Sequence, residues 1–279
     1  MAGNRSFAAY REALDFVHTT VAPRTYVETG VSQGGSLAFA LPGTRAVGID
    51  PKPKLDRPIP RLASIYPMTS DEFFERHDLS GLLGGPVDMA FIDGMHLFEY
   101  ALRDLINIEQ HCSPDSVLLV HDCYPPDEVT AARERTTRRW SGDVWKLVPC
   151  LREYRPELRL ATLDVAPTGL AVITGLDPGS RVLAERYDEI CERYVPLAYG
   201  VLDAGKPEAL ARVPGDAGTL AELLPDRPFR EHGRRALLAA RSLRGLSVSG
   251  LRAHHLLFRR RLRRARRRIR DRLNAGSGP

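Results

Sequence analysis

At 279 residues, with 43% hydrophobic and 7% aromatic side chains, the chain has the composition of a globular protein rather than a disordered or fibrous one. No apolar run reaches the length that spans a bilayer, the first residues lack the apolar core of a secretory signal, and four scattered cysteines (Cys112, Cys123, Cys150, Cys191) form no Cys-x-x-Cys pair, which argues against a structural zinc site or a disulfide framework. The net charge of +5 conceals a division: residues 230–279 hold 16 Arg against Glu231 and Asp271, so a tail of +14 follows an acidic body of −9. The expected setting is reducing and cytoplasmic, and a charge-driven partner would concern the tail alone.

In chain order, Phe7, Tyr10, Leu14, Phe16 and Val17 recur near helical spacing, predicting a helix over 6–20 that Pro23 ends. A strand follows over 25–28, then a turn with Gly30, Gly34 and Gly35, a short helical stretch over 36–41, and a second strand over 46–49 that ends in Asp50. Four prolines in residues 51–60 make a loop. Ala63–Tyr66 reads as a strand, and Thr69 or Ser70 caps a helix that begins at Asp71-Glu72-Phe73-Phe74.

Val87–Ile92 and Ser116–Val120 are continuous apolar runs, the pattern of strands buried on both faces, with a helix over 97–108 between them. A polar helix is expected over 128–138, an antiparallel strand pair over 158–163 and 170–174, and a helix over 180–194. Recurrent Gly and Pro predict a linker or loosely packed segment over 201–229, and helix returns over 234–246 and 251–273. The domain expectation is therefore 1–200, the linker 201–229, and a basic helical extension 230–279. The fold class is α/β: a Rossmann-like, doubly wound, mostly parallel sheet with a terminal antiparallel strand.

Successive strands end in acids: Glu28, Asp50, Asp93, and Asp122 one step past a fourth. In open α/β sheets ligands bind beyond the carboxyl ends of the strands, so these acids should share one rim. Glycines at 30, 34 and 35 admit close backbone approach and positive φ, and Asp50 stands 20 residues past Gly30, where an acid can accept both ribose hydroxyls. His96 follows Asp93 by three residues, and His121 precedes Asp122. An imidazole with a pKa near 6.5 suits removal of a hydroxyl proton, and His96 is the first choice of base, His121 the second. Both tryptophans lie in 140–146; Trp145 reads as packing and Trp140 is left between packing and a cover for a ligand.

The stretch Val27-Glu28-Thr29-Gly30-Val31-Ser32-Gln33-Gly34-Gly35-Ser36 resembles motif I of class I S-adenosylmethionine-dependent methyltransferases. The likeness runs on through Thr69–Phe74, Phe91-Ile92-Asp93-Gly94-Met95-His96 and Leu119-Val120-His121-Asp122. It is most similar to a bacterial branch of small-molecule O-methyltransferases whose strand ends read Ile-Asp-Gly-x-His and His-Asp. The resemblance implies methyl transfer to an oxygen of a small molecule such as a sugar or secondary metabolite. It implies a cofactor site of Glu28, Gly30, Gly34, Gly35, Ser36, Asp50, Ser70, Asp71 and Asp93. Metal-dependent relatives of catechol O-methyltransferase further suggest Asp93 and Asp122 as ligands of a divalent ion such as Mg2+, although Cys123 stands where they have Asn, and Cys is a poor ligand for so hard a cation.

Two other readings stay open on sequence: an NAD(P)-dependent oxidoreductase, weakened because Gly30–Gly35 is not Gly-x-Gly-x-x-Gly, and a non-catalytic binding module of methyltransferase-like fold. The arginine-rich stretch 251–273 could hold such a protein to an anionic membrane or to nucleic acid, and a homo-oligomer is compatible with the chain.

Overall fold

The apolar, β-branched runs build one eight-stranded sheet, seen in a computed structural model that describes residues 5–226. Helix α1 (Tyr10–Val21) leads into β1 (Thr25–Thr29), β2 (Arg45–Ile49) and β3 (Ala63–Tyr66). Helices α2 (Ser70–Arg76) and α3 (Leu79–Leu83) precede β4 (Val87–Ile92), and α4 (Phe98–Glu109) leads to β5 (Cys112–His121). After α5 (Leu147–Tyr154) come β6 (Arg159–Asp164), β7 (Leu170–Thr174), α6 (Val182–Glu185), α7 (Tyr187–Tyr194), α8 (Lys206–Ala209), β8 (Arg212–Pro214) and α9 (Ala217–Leu223). The strand order is β3-β2-β1-β4-β5-β7-β6-β8, with β1 to β5 parallel and β7 antiparallel to both of its neighbours. Strands β1, β4 and β7 are buried along their whole length because two apolar layers cover them. Phe7, Leu14, Val17, Leu37 and Leu220 pack on one face; Phe73, Phe98, Leu102, Trp145 and Leu151 pack on the other.

The order of strands reverses between β1 and β4, which is where an open sheet of this kind leaves a crevice above its carboxyl edge. Register places the site residues there. Thr29 pairs with both Ile49 and Ile92, and Ile92 pairs with Val120. Gly30, Asp50, Asp93 and His121 therefore stand side by side, each one residue past the last pair.

Several expectations need correction. The stretch 36–41 holds only a single 3-10 turn, Leu37–Phe39, before Pro42 stops it. Residues 128–138 form turns, not a helix, because their carbonyls are claimed from outside: Ser141 donates its N–H and Oγ to Thr130 O, and Trp140 Nε1 donates to Ala132 O. The stretch 180–194 breaks into α6 and α7 at Arg186. Residues 201–226, expected as a linker, carry α8, β8 and α9. Strand β8 extends the sheet by pairing with β6, and Ala217, Leu220 and Leu224 bury against α1. The glycines and prolines there punctuate short elements instead of loosening them. The arginine-rich segment 230–279, with its membrane and nucleic-acid expectations, lies outside the described residues. Among the described residues no helix is long and apolar enough to cross a membrane. Thr69, not Ser70, caps α2, in a reciprocal capping box with Glu72.

One core residue is a built-in weakness. His18 on α1 is fully buried, its ring edge-on to Tyr26 with centroids 4.6 Å apart, and neither ring nitrogen has a hydrogen-bond partner. Burial disfavours the imidazolium and pushes the pKa down to about 3. The unfolded chain thus binds a proton below pH 6.5 that the folded chain refuses. His18 costs nothing in this way above pH 6.5 and progressively more as pH falls toward 3. At pH 5 the penalty is about 2 kcal/mol. We expect the stability gap between His18→Phe and the wild type to widen by about that amount from pH 8 to pH 5 in urea titrations. A gap that stays constant would show that His18 is protonated in the fold.

Candidate functional site

Gly30 opens the turn after β1 with φ +86°, and its N–H donates to Ile49 O at 2.9 Å. A Cβ there would lie 2.0 Å from the Asp93 carbonyl oxygen, so β1 and β4 approach this closely only because residue 30 has none. Asp50 braces the same turn: its carboxylate accepts from the N–H groups of Ser32 and Lys52, both at 2.7 Å.

Glu28 stands two residues below the rim and is wholly buried. Its oxygens accept from Tyr26 Oη at 2.7 Å and Ser36 Oγ at 2.5 Å, and burial raises its pKa to about 8 against the effect of those two donors. It lines neither cavity described below. Glu28 is thus a brace beneath the glycine turn and not a wall of the site. Gly34 (φ +79°) likewise faces away, toward Leu55 and Ile59.

Two cavities meet over the crevice. The larger, about 500 Å³, is lined by Asp50, Ser70, Asp71, Thr29, Tyr100 and Asp104. The smaller, about 320 Å³, is lined by Tyr10, Gly35, Ser36, His121, Asp122, Trp140 and Thr168 among others. Gly30, Ser32, Asp93 and His96 border both. The expected cofactor residues therefore divide: Asp50, Ser70 and Asp71 face the larger space, Gly35 and Ser36 the smaller, and Gly30 and Asp93 sit at the junction.

Asp93, His96, His121 and Asp122 form one cluster at that junction. His121 Nδ1 lies 3.0 Å from Asp93 Oδ1, and His96 Nδ1 lies 2.8 Å from Asp122 Oδ2. Thr168 Oγ1 donates to Asp122 Oδ1. Burial by itself would lower the pKa of both imidazoles, but the two carboxylates outweigh it, holding His96 above its usual value and His121 well above. Burial works against the charged form of Asp122 too, yet the two imidazoles keep it well below the usual carboxylate range. His96 and Asp122 both adopt positive φ, +58° and +64°, a strained conformation for non-glycine residues that the surrounding fold must enforce.

Part of that enforcement comes from a segment whose role the sequence left open. Trp140 stacks on His96 with ring centroids 5.3 Å apart and planes within 6°, so it covers the cluster, whereas Trp145 is buried packing. Gly142 (φ +57°) lies so close to the His96 backbone that a Cβ would fall 1.7 Å from its carbonyl oxygen. Asp143 accepts from Phe98 N–H at 2.8 Å, from Lys146 Nζ at 2.8 Å and from Arg133 Nη1 at 2.6 Å, tying the cover to the start of α4.

Sequence reasoning missed Tyr10, Thr168 and Asp104. Tyr10 packs its ring 3.9 Å from that of His121, and nothing in helix α1 signals this contact. Asp104, wholly buried on α4, has Oδ1 without a hydrogen-bond partner, and burial lifts its pKa to about 6. A lone Asp at an inward-facing helical position was the available signal.

The donor atoms of Asp93, His96 and Asp122 lie within 4.8 Å of one another, the spacing of a metal-binding group. His96 Nδ1 is buried and, despite its 2.8 Å approach to Asp122, makes no properly directed hydrogen bond. A set of two carboxylates and an imidazole fits a divalent transition ion better than Mg2+, which favours oxygen ligands. Cys123, buried with its thiol pKa driven up by burial, offers no thiolate to such an ion.

Comparison with known proteins gives one family match and several structural likenesses. Residues 27–123 match the family described as a methyltransferase domain. No curated protein shows significant similarity to the chain. Solved structures that resemble it include a cofactor-bound protein from MTB (15% identity, 60% of this chain and 79% of that one, TM-score 0.48). Another is the O-methyltransferase TomG of Streptomyces achromogenes, involved in tomaymycin synthesis, in complex with SAM (13%, 60% and 80%, 0.46). A third is an O-methyltransferase of Bacillus cereus in complex with SAH (14%, 59% and 80%, 0.43). The family match over 27–123 covers β1 to the end of β5, the strands that frame the crevice, so this part of the chain is similar to a methyltransferase domain.

Proposed function

We propose that this enzyme transfers the methyl group of S-adenosylmethionine to a hydroxyl oxygen of a small molecule. The observation that carries the reading is the meeting of the two cavities at Asp93 and His96. One space suits the cofactor: Asp50 stands at the end of β2 for the ribose hydroxyls, and Ser70 and Asp71 at the start of α2 for the adenine. When bound, S-adenosylmethionine supplies an electrophilic methyl group that needs only an aligned nucleophile.

The protein's own residues do the rest. The smaller cavity takes the acceptor, and Trp140 and Tyr10 exclude water from the cluster. His96, a quarter exposed at the junction, receives the acceptor's proton on its imidazole, and Asp122 stabilises the charge that develops there. His121, buried and within 3.0 Å of Asp93 and 3.4 Å of Asp122, is better suited to fixing those carboxylates than to meeting the acceptor. The convergence of Asp93, His96 and Asp122 donor atoms within 4.8 Å supports a second reading of the same cluster, in which these three residues would hold a divalent ion that would supply Lewis-acid chemistry toward the acceptor hydroxyl.

Calorimetric titration with S-adenosylhomocysteine and with NAD tests the cofactor assignment. S-adenosylhomocysteine is expected to bind, and Asp50→Ala to weaken it by roughly 10- to 100-fold, the loss of hydrogen bonds to a charged acceptor. Binding of NAD alone would overturn the reading, and unchanged affinity in Asp50→Ala would remove the ribose assignment.

A further inference from the structure

The smaller cavity carries a charge pattern that methyl transfer as such does not require. Arg138 and Arg139 line it from the loop that leads into Trp140. Neither is within salt-bridge distance of a described carboxylate, although Arg139 acts on Asp127 through space. Arg133, six residues before Arg139 on the same loop, is by contrast fully engaged, with Glu99 at 2.6 Å and Asp143 at 2.6 Å. The loop therefore uses one arginine in its own architecture and contributes two others to the lining of the cavity.

The acidic groups of the cavity do not offset them. Asp93 is within 3.0 Å of His121, and Asp122 within 2.8 Å of His96 and hydrogen-bonded to Thr168, so both carboxylates face imidazoles and a hydroxyl. Three arginines, Arg11, Arg138 and Arg139, line this cavity, on a body whose net charge is −9. An acidic protein that concentrates arginines at one opening focuses the field there and draws anions into it. A guanidinium is also a planar fork of donors matched to carboxylate and phosphoryl oxygens.

We propose, building on the methyl-transfer reading, that the acceptor is an anion: a hydroxy compound bearing a carboxylate or phosphoryl group that Arg138 and Arg139 grip while its hydroxyl is presented at His96 beneath Trp140. At about 320 Å³ the cavity holds a single ring with one such substituent. The arginines act in binding and orientation and take no part in the bond changes.

The test is binding of matched pairs to protein saturated with S-adenosylhomocysteine and, in parallel, to protein without it. The probes are 3,4-dihydroxybenzoate with its methyl ester, and glucose 6-phosphate with glucose. In at least one pair the anionic member should bind about tenfold or more tightly, and that preference should shrink to within about twofold in the R138A/R139A double variant. It should also fall when salt is raised from about 50 to about 300 mM, as screening shortens. Absence of binding by either anion, equal binding of the members of both pairs, or a preference that survives the double variant would overturn the proposal. Failure to take up S-adenosylhomocysteine would instead sink the methyl-transfer reading, while anion preference measured without it would stand on its own. The same double variant should keep the wild-type affinity for S-adenosylhomocysteine, because neither arginine lines the larger cavity; a comparable loss there would show that the pair serves the cofactor and not the acceptor.

Discussion

Gly30→Ala is expected to abolish useful cofactor binding and to destabilise the domain together. The new Cβ would sit 2.0 Å from the Asp93 carbonyl oxygen and 2.7 Å from Gly94 Cα, both backbone atoms that cannot swing aside. The residue would also hold φ +86°, which an L side chain adopts only at a cost. Strain and overpacking together amount to about 3 kcal/mol. For a domain of this size that is a fall of roughly 6–12 °C in Tm. Relief comes only by parting β1 from β4, which moves Asp93 and Asp50 relative to each other and widens the crevice. Differential scanning calorimetry and S-adenosylhomocysteine titration read the two effects. A variant with wild-type Tm and affinity would mean that the backbones are not in contact here.

His96→Ala should lower turnover by about 100-fold or more, the usual worth of a positioned acid–base group, with S-adenosylhomocysteine affinity within about threefold of wild type. The measurement is methyl transfer to whichever acceptor a hydroxy-compound screen returns. The variant also removes the ring on which Trp140 stacks, so His96→Gln, which keeps a polar side chain under the indole, separates loss of the base from loss of the cover. Full activity in both would remove His96 from the chemistry. Wild-type enzyme treated with EDTA distinguishes the two uses of the cluster. An unchanged rate supports proton transfer to His96, whereas a loss restored by Mn2+ or Zn2+ supports an ion on Asp93, His96 and Asp122.

Residues near the glycine turn show how far one-dimensional reading carries. Apolar and β-branched runs found β1 to β7, most plainly where a strand is buried along its whole length, as in β1, β4 and β7, because such a strand leaves few places for polar side chains. Gly30, Asp50 and Asp93 could be named in advance because each follows directly on a strand end, with His121 ending β5 and His96 three residues past Asp93, and a parallel sheet brings strand ends to one edge.

The division of those residues between two cavities was not legible. Strand alternation and register put Glu28 below the rim, where it braces the turn through Ser36 and Tyr26, although its letter is as acidic as that of Asp50. The turns of 128–138 replaced an expected helix because distant groups captured the carbonyls, a competition that local propensity cannot weigh. The packing of α8, β8 and α9 onto the sheet depends on β6 offering an edge and α1 an apolar face, neither of which is a property of residues 201–226. The sequence by itself therefore determined the sheet, the glycine turn and the row of strand-end groups. Tertiary structure alone decided which of those groups touch, that Trp140 covers His96, and that Arg138 and Arg139 line the smaller cavity, because contacts between residues distant in the chain arise only once the strands are in register.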